Sequence, residues 1–117
     1  MRLRLIGAAL GVGLISASAN AGQFDGKWQA NAWEVGIHCG QMRVTLTVSG
    51  RDITGEAQSY NSSPIIGTVA DDGTFKLRKV TGQPIDNFGG KFDGDRISVE
   101  WDGVCGHRIA SGSRVGS

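Results

Sequence analysis

The chain has 117 residues, yet only two are cysteine, two histidine and one tyrosine. No apolar run reaches the ~20 residues that a membrane-spanning helix needs. No stretch after Gly22 repeats its apolar residues at a helical period. A serine elbow, a phosphate-binding loop and the H-E-x-x-H zinc motif are all missing, and no loop offers the spaced oxygen ligands that calcium requires. Each shortage removes a class of function. The balance of 12 basic against 11 acidic residues removes another. It leaves neither the strong positive charge of a nucleic-acid binder nor a polybasic membrane patch. No cofactor is expected, and the chain reads as non-catalytic.

The amino terminus, "MRLRLIGAALGVGLISASANA", is different in kind from the rest. Arg2 and Arg4 precede an apolar run from Leu5 to about Ile15, and Ala19 and Ala21 then form a small-x-small cleavage pattern. This is the anatomy of a secretory signal. Residues 1–21 are therefore expected to be removed, leaving one domain over 22–117 in the periplasm or outside a bacterial cell. No cysteine follows the apolar run, so no lipid anchor is expected.

Glycine is plentiful, with sixteen residues after position 21, and it punctuates short alternating runs. In "RVTLTV", Val44, Leu46 and Val48 share one face, while Arg43, Thr45 and Thr47 share the other. "RISVEW" repeats the pattern with Ile97, Val99 and Trp101. Alternation of this kind marks strands with one buried face. Eight are predicted, at 26–33, 43–49, 52–59, 64–70, 74–80, 87–93, 96–101 and 105–111. The expected fold is all-β, a compact antiparallel up-and-down barrel, with a two-sheet sandwich as the alternative. The inward set runs from Trp28 through Leu46, Ile53, Ile65, Phe75 and Phe92 to Trp101 and Ile109.

Three connections are tight, and their chemistry sets register. "SGRD" and "DGDR" put Gly50 and Gly94 first in two-residue turns, and "ADDGT" puts Gly73 in the left-handed position. Val48 is then expected opposite Ile53, Phe92 opposite Ile97, Phe88 opposite Trp101, and Val69 opposite Phe75. The connections "EVGIHCGQM", "YNSS" and "TGQPID" are longer, and the link at "DGVCG" is intermediate. In a meander, successive connections fall at alternating ends. The tight turns are thus expected at one end and the longer connections at the other.

Both cysteines fall at the long-connection end. In an oxidising compartment Cys39 and Cys105 are expected to pair. A zinc site using His38 and His107 as well is disfavoured, because adjacent strand residues such as His38 and Cys39 point to opposite faces. A Cys–His nucleophile would need a third, orienting group. The acids Asp71, Asp72, Asp93 and Asp95 sit in tight turns, where aspartate is favoured for backbone reasons. "NSS" at Asn61 marks an exposed polar loop. Recognition capacity gathers in the long connections, in Trp33, Tyr60, Asn61, Gln83, Asp86 and Asn87. Binding is therefore expected there. The partner is either a macromolecule, with the protein acting as an inhibitor, or a small apolar ligand held in the barrel.

"GKW" at Gly26–Trp28 resembles the G-x-W signature that opens the calycin barrels, which include lipocalins, fatty-acid-binding proteins and avidins. The resemblance implies a basic residue of the last strand packed on Trp28 at the closed end, with Arg108 preferred to Arg114. The longer pattern from "FDGKW" through "GGKFDGDRISVEW" to "CGHRIASGSR" resembles small secreted barrel proteins of proteobacteria. Periplasmic protease inhibitors built on small disulfide-bearing barrels are similar in architecture alone. None of these resemblances implies a particular ligand.

Overall fold

A computed structural model describes residues 22–32, 40–59, 61–103 and 106–116. The proposed signal segment, Trp33, Tyr60, His38, Cys39 and Cys105 lie outside the described residues. Eight strands follow one another: β1 (Gly26–Ala32), β2 (Met42–Ser49), β3 (Asp52–Gln58), β4 (Ser62–Val69), β5 (Thr74–Lys79), β6 (Asp86–Asp93), β7 (Arg96–Gly103) and β8 (Gly106–Gly116). Each pairs antiparallel with its neighbour, and β8 closes on β1. The molecule is a closed up-and-down barrel, not a sandwich.

The turns act as their residues require. Gly50 and Gly94 have φ of 64° and 61°, while Arg51 and Asp95 remain on the negative side. That pattern matches a turn whose first central residue alone is left-handed. Val48 pairs with Ile53, Phe92 with Ile97, and Val69 with Phe75. A one-residue slip would expose every core side chain, so the turns and the buried face enforce the same register.

Packing is dense at the tight-turn end. Trp28 and Phe92 lie 4.5 Å apart, and Phe75 and Phe92 4.6 Å apart, between ring centroids. Phe24, in the segment before β1, stacks on Phe92 at 5.3 Å and closes this end like a stopper. Burying one such ring contributes roughly 2–3 kcal/mol. Trp28 stays satisfied in this apolar setting because its indole Nε1 donates to the Phe24 carbonyl at 2.9 Å. β8 approaches β1 so closely at Gly112 that a Cβ there would come 1.7 Å from the Gln29 carbonyl oxygen. Only glycine permits that approach.

Arg114, not Arg108, stacks on Trp28, with its guanidinium 4.5 Å from the ring centroid. It also donates to the Asp25 carbonyl at 2.5 Å and to Asp95 Oδ1 at 3.1 Å. Gly26 makes room for this clasp. Its φ is 131°, and a Cβ there would lie 2.6 Å from the Gly116 carbonyl oxygen and 3.5 Å from the Arg114 side chain. The glycine of "GKW" therefore has a steric reason to be glycine.

Three expectations need correction, and all trace to the last third of the chain. β7 runs on to Gly103 and β8 begins at Gly106, so their connection is only two residues, not an intermediate link. The resulting register pairs Asp102 with His107 and Glu100 with Ile109. Ile109 consequently faces outward, 56% exposed, and Arg108 turns inward in its place. Arg108 then lies over Trp101, 5.7 Å from its ring centroid, rather than over Trp28. Finally, a register shift between Asp86 and Gly89 removes the in-register pairing of Phe88 with Trp101, although the rings remain neighbours at 6.4 Å.

Candidate functional site

The two ends of the barrel differ in chemistry. The tight-turn end is filled by the aromatic cluster and laced by Arg114 and by an Arg51–Asp71 ion pair. At the other end, nine residues separate β1 from β2 and six separate β5 from β6, whereas β3–β4 and β7–β8 are joined by three and two. The long connections are thus two, not three, because only three residues join β3 to β4. The second leads into the least regular part of the wall.

That irregularity begins at Asn87. It is the one non-glycine residue with positive φ among the described residues, at 52°. Asparagine tolerates this region better than most side chains. Here it also marks the bulge that shifts register between Asp86 and Gly89. The bulge turns Asn87 outward, where its Nδ2 donates to Asp102 Oδ2 at 2.6 Å. The other Asp102 oxygen meets His107 Nδ1 at 2.8 Å, and His107 Nε2 stands 3.6 Å from Glu100. β6, β7 and β8 each contribute to this chain of polar groups. Hydrogen bonds from Asn87, and then from His107, hold the Asp102 carboxyl below the ordinary aspartate value of 3.8.

An aspartate–histidine pair invites comparison with hydrolytic triads. A triad also needs a nucleophile bonded to the free ring nitrogen. No hydroxyl of the described residues bonds to His107. The described residues also contain no group of three His, Cys, Asp or Glu side chains arranged to hold a metal ion. What the cluster does supply is an exposed, pre-ordered set of donors and acceptors.

Beside it the barrel wall comes apart. β5 and β6 pair only at Thr74–Lys91, Phe75–Gly90 and Lys76–Gly89. Beyond Lys76 the two strands share no register. A hollow of about 580 Å³ opens there, lined by Leu77, Ile85, Asn87 and Phe88 among others. A second groove of about 610 Å³ runs over the outer face of β3, β4 and β5, across Ile66 and Arg78.

Of the residues singled out from sequence, Asp86 and Asn87 lie at the start of β6 beside the hollow. Gln83 is exposed on the β5–β6 connection, and Asn61 is exposed on the separate β3–β4 connection. Sequence reasoning missed Glu100, Asp102 and His107. Their signal was parity: with a two-residue β7–β8 turn, all three fall on the outward face. Known protein families, curated proteins and solved structures yielded no match to this chain.

Proposed function

We propose that the protein is a non-catalytic binding protein whose partner, a macromolecule, docks at the end of the barrel opposite the tight turns. The signal-like amino terminus supports a periplasmic or extracellular setting, and binding in the manner of an inhibitor fits a small, rigid, secreted barrel. One observation carries the reading: the asymmetry of the ends. The tight-turn end is stoppered by Phe24 and clasped by Arg114. The opposite end holds the two long connections, the left-handed Asn87 and the parted β5–β6 wall. Long connections and backbone strain concentrate where proteins bind. The Arg114–Trp28 clasp supports kinship with the calycin barrels.

A second reading, a carrier of a small apolar ligand, is favoured by one feature. Ala30, Ala32, Ala57 and Ala110 are buried in the wall, where larger residues would fill the interior. Site-specific photocrosslinking in the native compartment separates the readings. A photoreactive side chain at Asn61 or Gln83 is expected to capture a discrete macromolecular adduct, and one at Ser49 is not. Adducts from Ser49 alone would overturn the end assignment. No adduct at any position, with a small molecule retained in native mass spectrometry, would establish the carrier instead.

A further inference from the structure

Arginine charge is handled differently at the two ends of the barrel. Arg51 and Arg114 spend theirs on Asp71 and Asp95 at the tight-turn end. At the open end, Arg108 lies over the Trp101 ring and donates to the Gly40 carbonyl. Arg43, at the start of β2, has another kind of anchor. Its Nε donates to Asn31 Oδ1 at 3.2 Å, a neutral amide that orients the guanidinium without neutralising it. No carboxylate of the described residues makes an ion pair with it. A guanidinium carries its N–H donors in a planar fork. The bond to Asn31 uses the Nε proton and leaves both terminal nitrogens unspent.

Register explains the anchor. Asn31 of β1 pairs with Arg43 of β2, and Arg43 with Gln58 of β3, so the three side chains form one outward row at the open end. Beside the row is a cavity of about 230 Å³, lined by these three with Gln41 and Ser59 among others. Its chemistry is that of amides and a hydroxyl around one cation. Its size limits the occupant, since small-molecule sites run to roughly 300–1,000 Å³. This space suits a single side chain or the end of a chain. Glu56, at the neighbouring outward position of β3, accepts from Gln58 Nε2 at 3.4 Å and makes no ion pair with Arg43.

We propose that this row is a carboxylate-recognition site, in which Arg43 holds a carboxylate of the docking partner, from an acidic side chain or from a chain end. A guanidinium fork meets a carboxylate through two parallel charge-assisted bonds, which are shorter and stronger than neutral ones. A guanidinium already anchored at Nε loses less freedom on binding than a loose side chain does. The amides of Gln41 and Gln58 and the Ser59 hydroxyl supply donors and acceptors for the peptide groups that flank the carboxylate. The inference rests on the reading that a macromolecule docks at this end, beside the β3–β4 connection that carries Asn61. It names the chemistry of one contact.

The test follows the Arg43 Nε–Hε signal by NMR, with the full secreted protein at physiological salt. Acetyl-Ala-Ala-Glu-Ala-amide presents a side-chain carboxylate, acetyl-tetraalanine with a free carboxyl end presents a terminal one, and acetyl-Ala-Ala-Gln-Ala-amide presents neither. An exposed ion pair is individually weak, so saturation is expected at millimolar probe. At least one carboxylate probe should bind at least about fivefold more tightly than the glutamine probe, and which one does so identifies the source. R43K should lose most of that preference, because an ammonium cannot form the fork. N31D should abolish it, because the new carboxylate would pair with Arg43 itself. R96K, at an exposed position on β7, should leave it unchanged. Equal affinity for all three probes, a preference that survives R43K or N31D, its loss in R96K, or no saturation at tens of millimolar would each overturn the proposal. With a photoreactive side chain at Asn61, R43Q should capture less partner; undiminished capture would leave the docking end standing and remove the carboxylate anchor. If Ser49 alone captures the partner, the docking end falls whatever the peptides do.

Discussion

Asp102 shows how one side chain can organise three strands. Both its oxygens are engaged, one by Asn87 and one by His107, and those bonds favour its ionised form. Its folded-state pKa is therefore depressed, led by the Asn87 bond. By linkage, the stability it contributes is present above the unfolded-state value and is lost as pH falls through the folded one. The window lies on the acid side of 3.8, not near neutrality. In a carboxyl-carbon NMR titration, Asp102 is expected to titrate below that value, and Asn87→Ala should move it upward. An unmoved titration would mean that Asn87 does not hold the carboxylate. At this scale the sequence was half legible. Asn87 stood out as a polar residue near a long connection. Asp102 and His107 did not, because their meeting depends on a turn one residue shorter and two positions later in the chain than the alternation implies.

The strands were the most legible feature, since alternation and turn glycines point to one register without knowledge of the rest. Strand ends were harder. β8 extends to Gly116, well past its predicted end at 111, because it must pair along both β7 and β1 to close the barrel. A pairing demand made by a distant strand leaves no local trace. The β5–β6 seam was equally hidden: "KLRKV" and "DNFGG" both read as ordinary strand, and the break lies between them rather than in either. Hydrogen exchange can test the break directly. The amide of Lys79 should exchange faster than that of Leu46, in the closed wall of β2, by about two orders of magnitude or more. Comparable protection would mean that β5 and β6 pair along their full length in solution.

For the whole molecule, the question is how fewer than a hundred residues of barrel hold together. A domain this small buries a limited core and gains much from a covalent staple. The aromatic stopper secures only the tight-turn end. At the other end, Arg108 Nη1 donates to the Gly40 carbonyl at 3.0 Å. Gly40 directly follows Cys39, and Arg108 comes three residues after Cys105. Residues near the two cysteines in the chain are thus in contact, which supports the proposed Cys39–Cys105 bond. Such a bond would close a long loop and stabilise the fold by roughly 3–5 kcal/mol, chiefly by restricting the unfolded chain. Under non-reducing conditions the secreted protein should resist alkylation and weigh two hydrogens less than its reduced form. Urea unfolding should then show a loss of roughly 3–5 kcal/mol on reduction, and the double variant C39A/C105A should match the reduced protein. Two freely alkylated thiols in the secreted protein would remove the staple. Stability at the open end would then rest on strand pairing, the core and the Arg108 contacts alone.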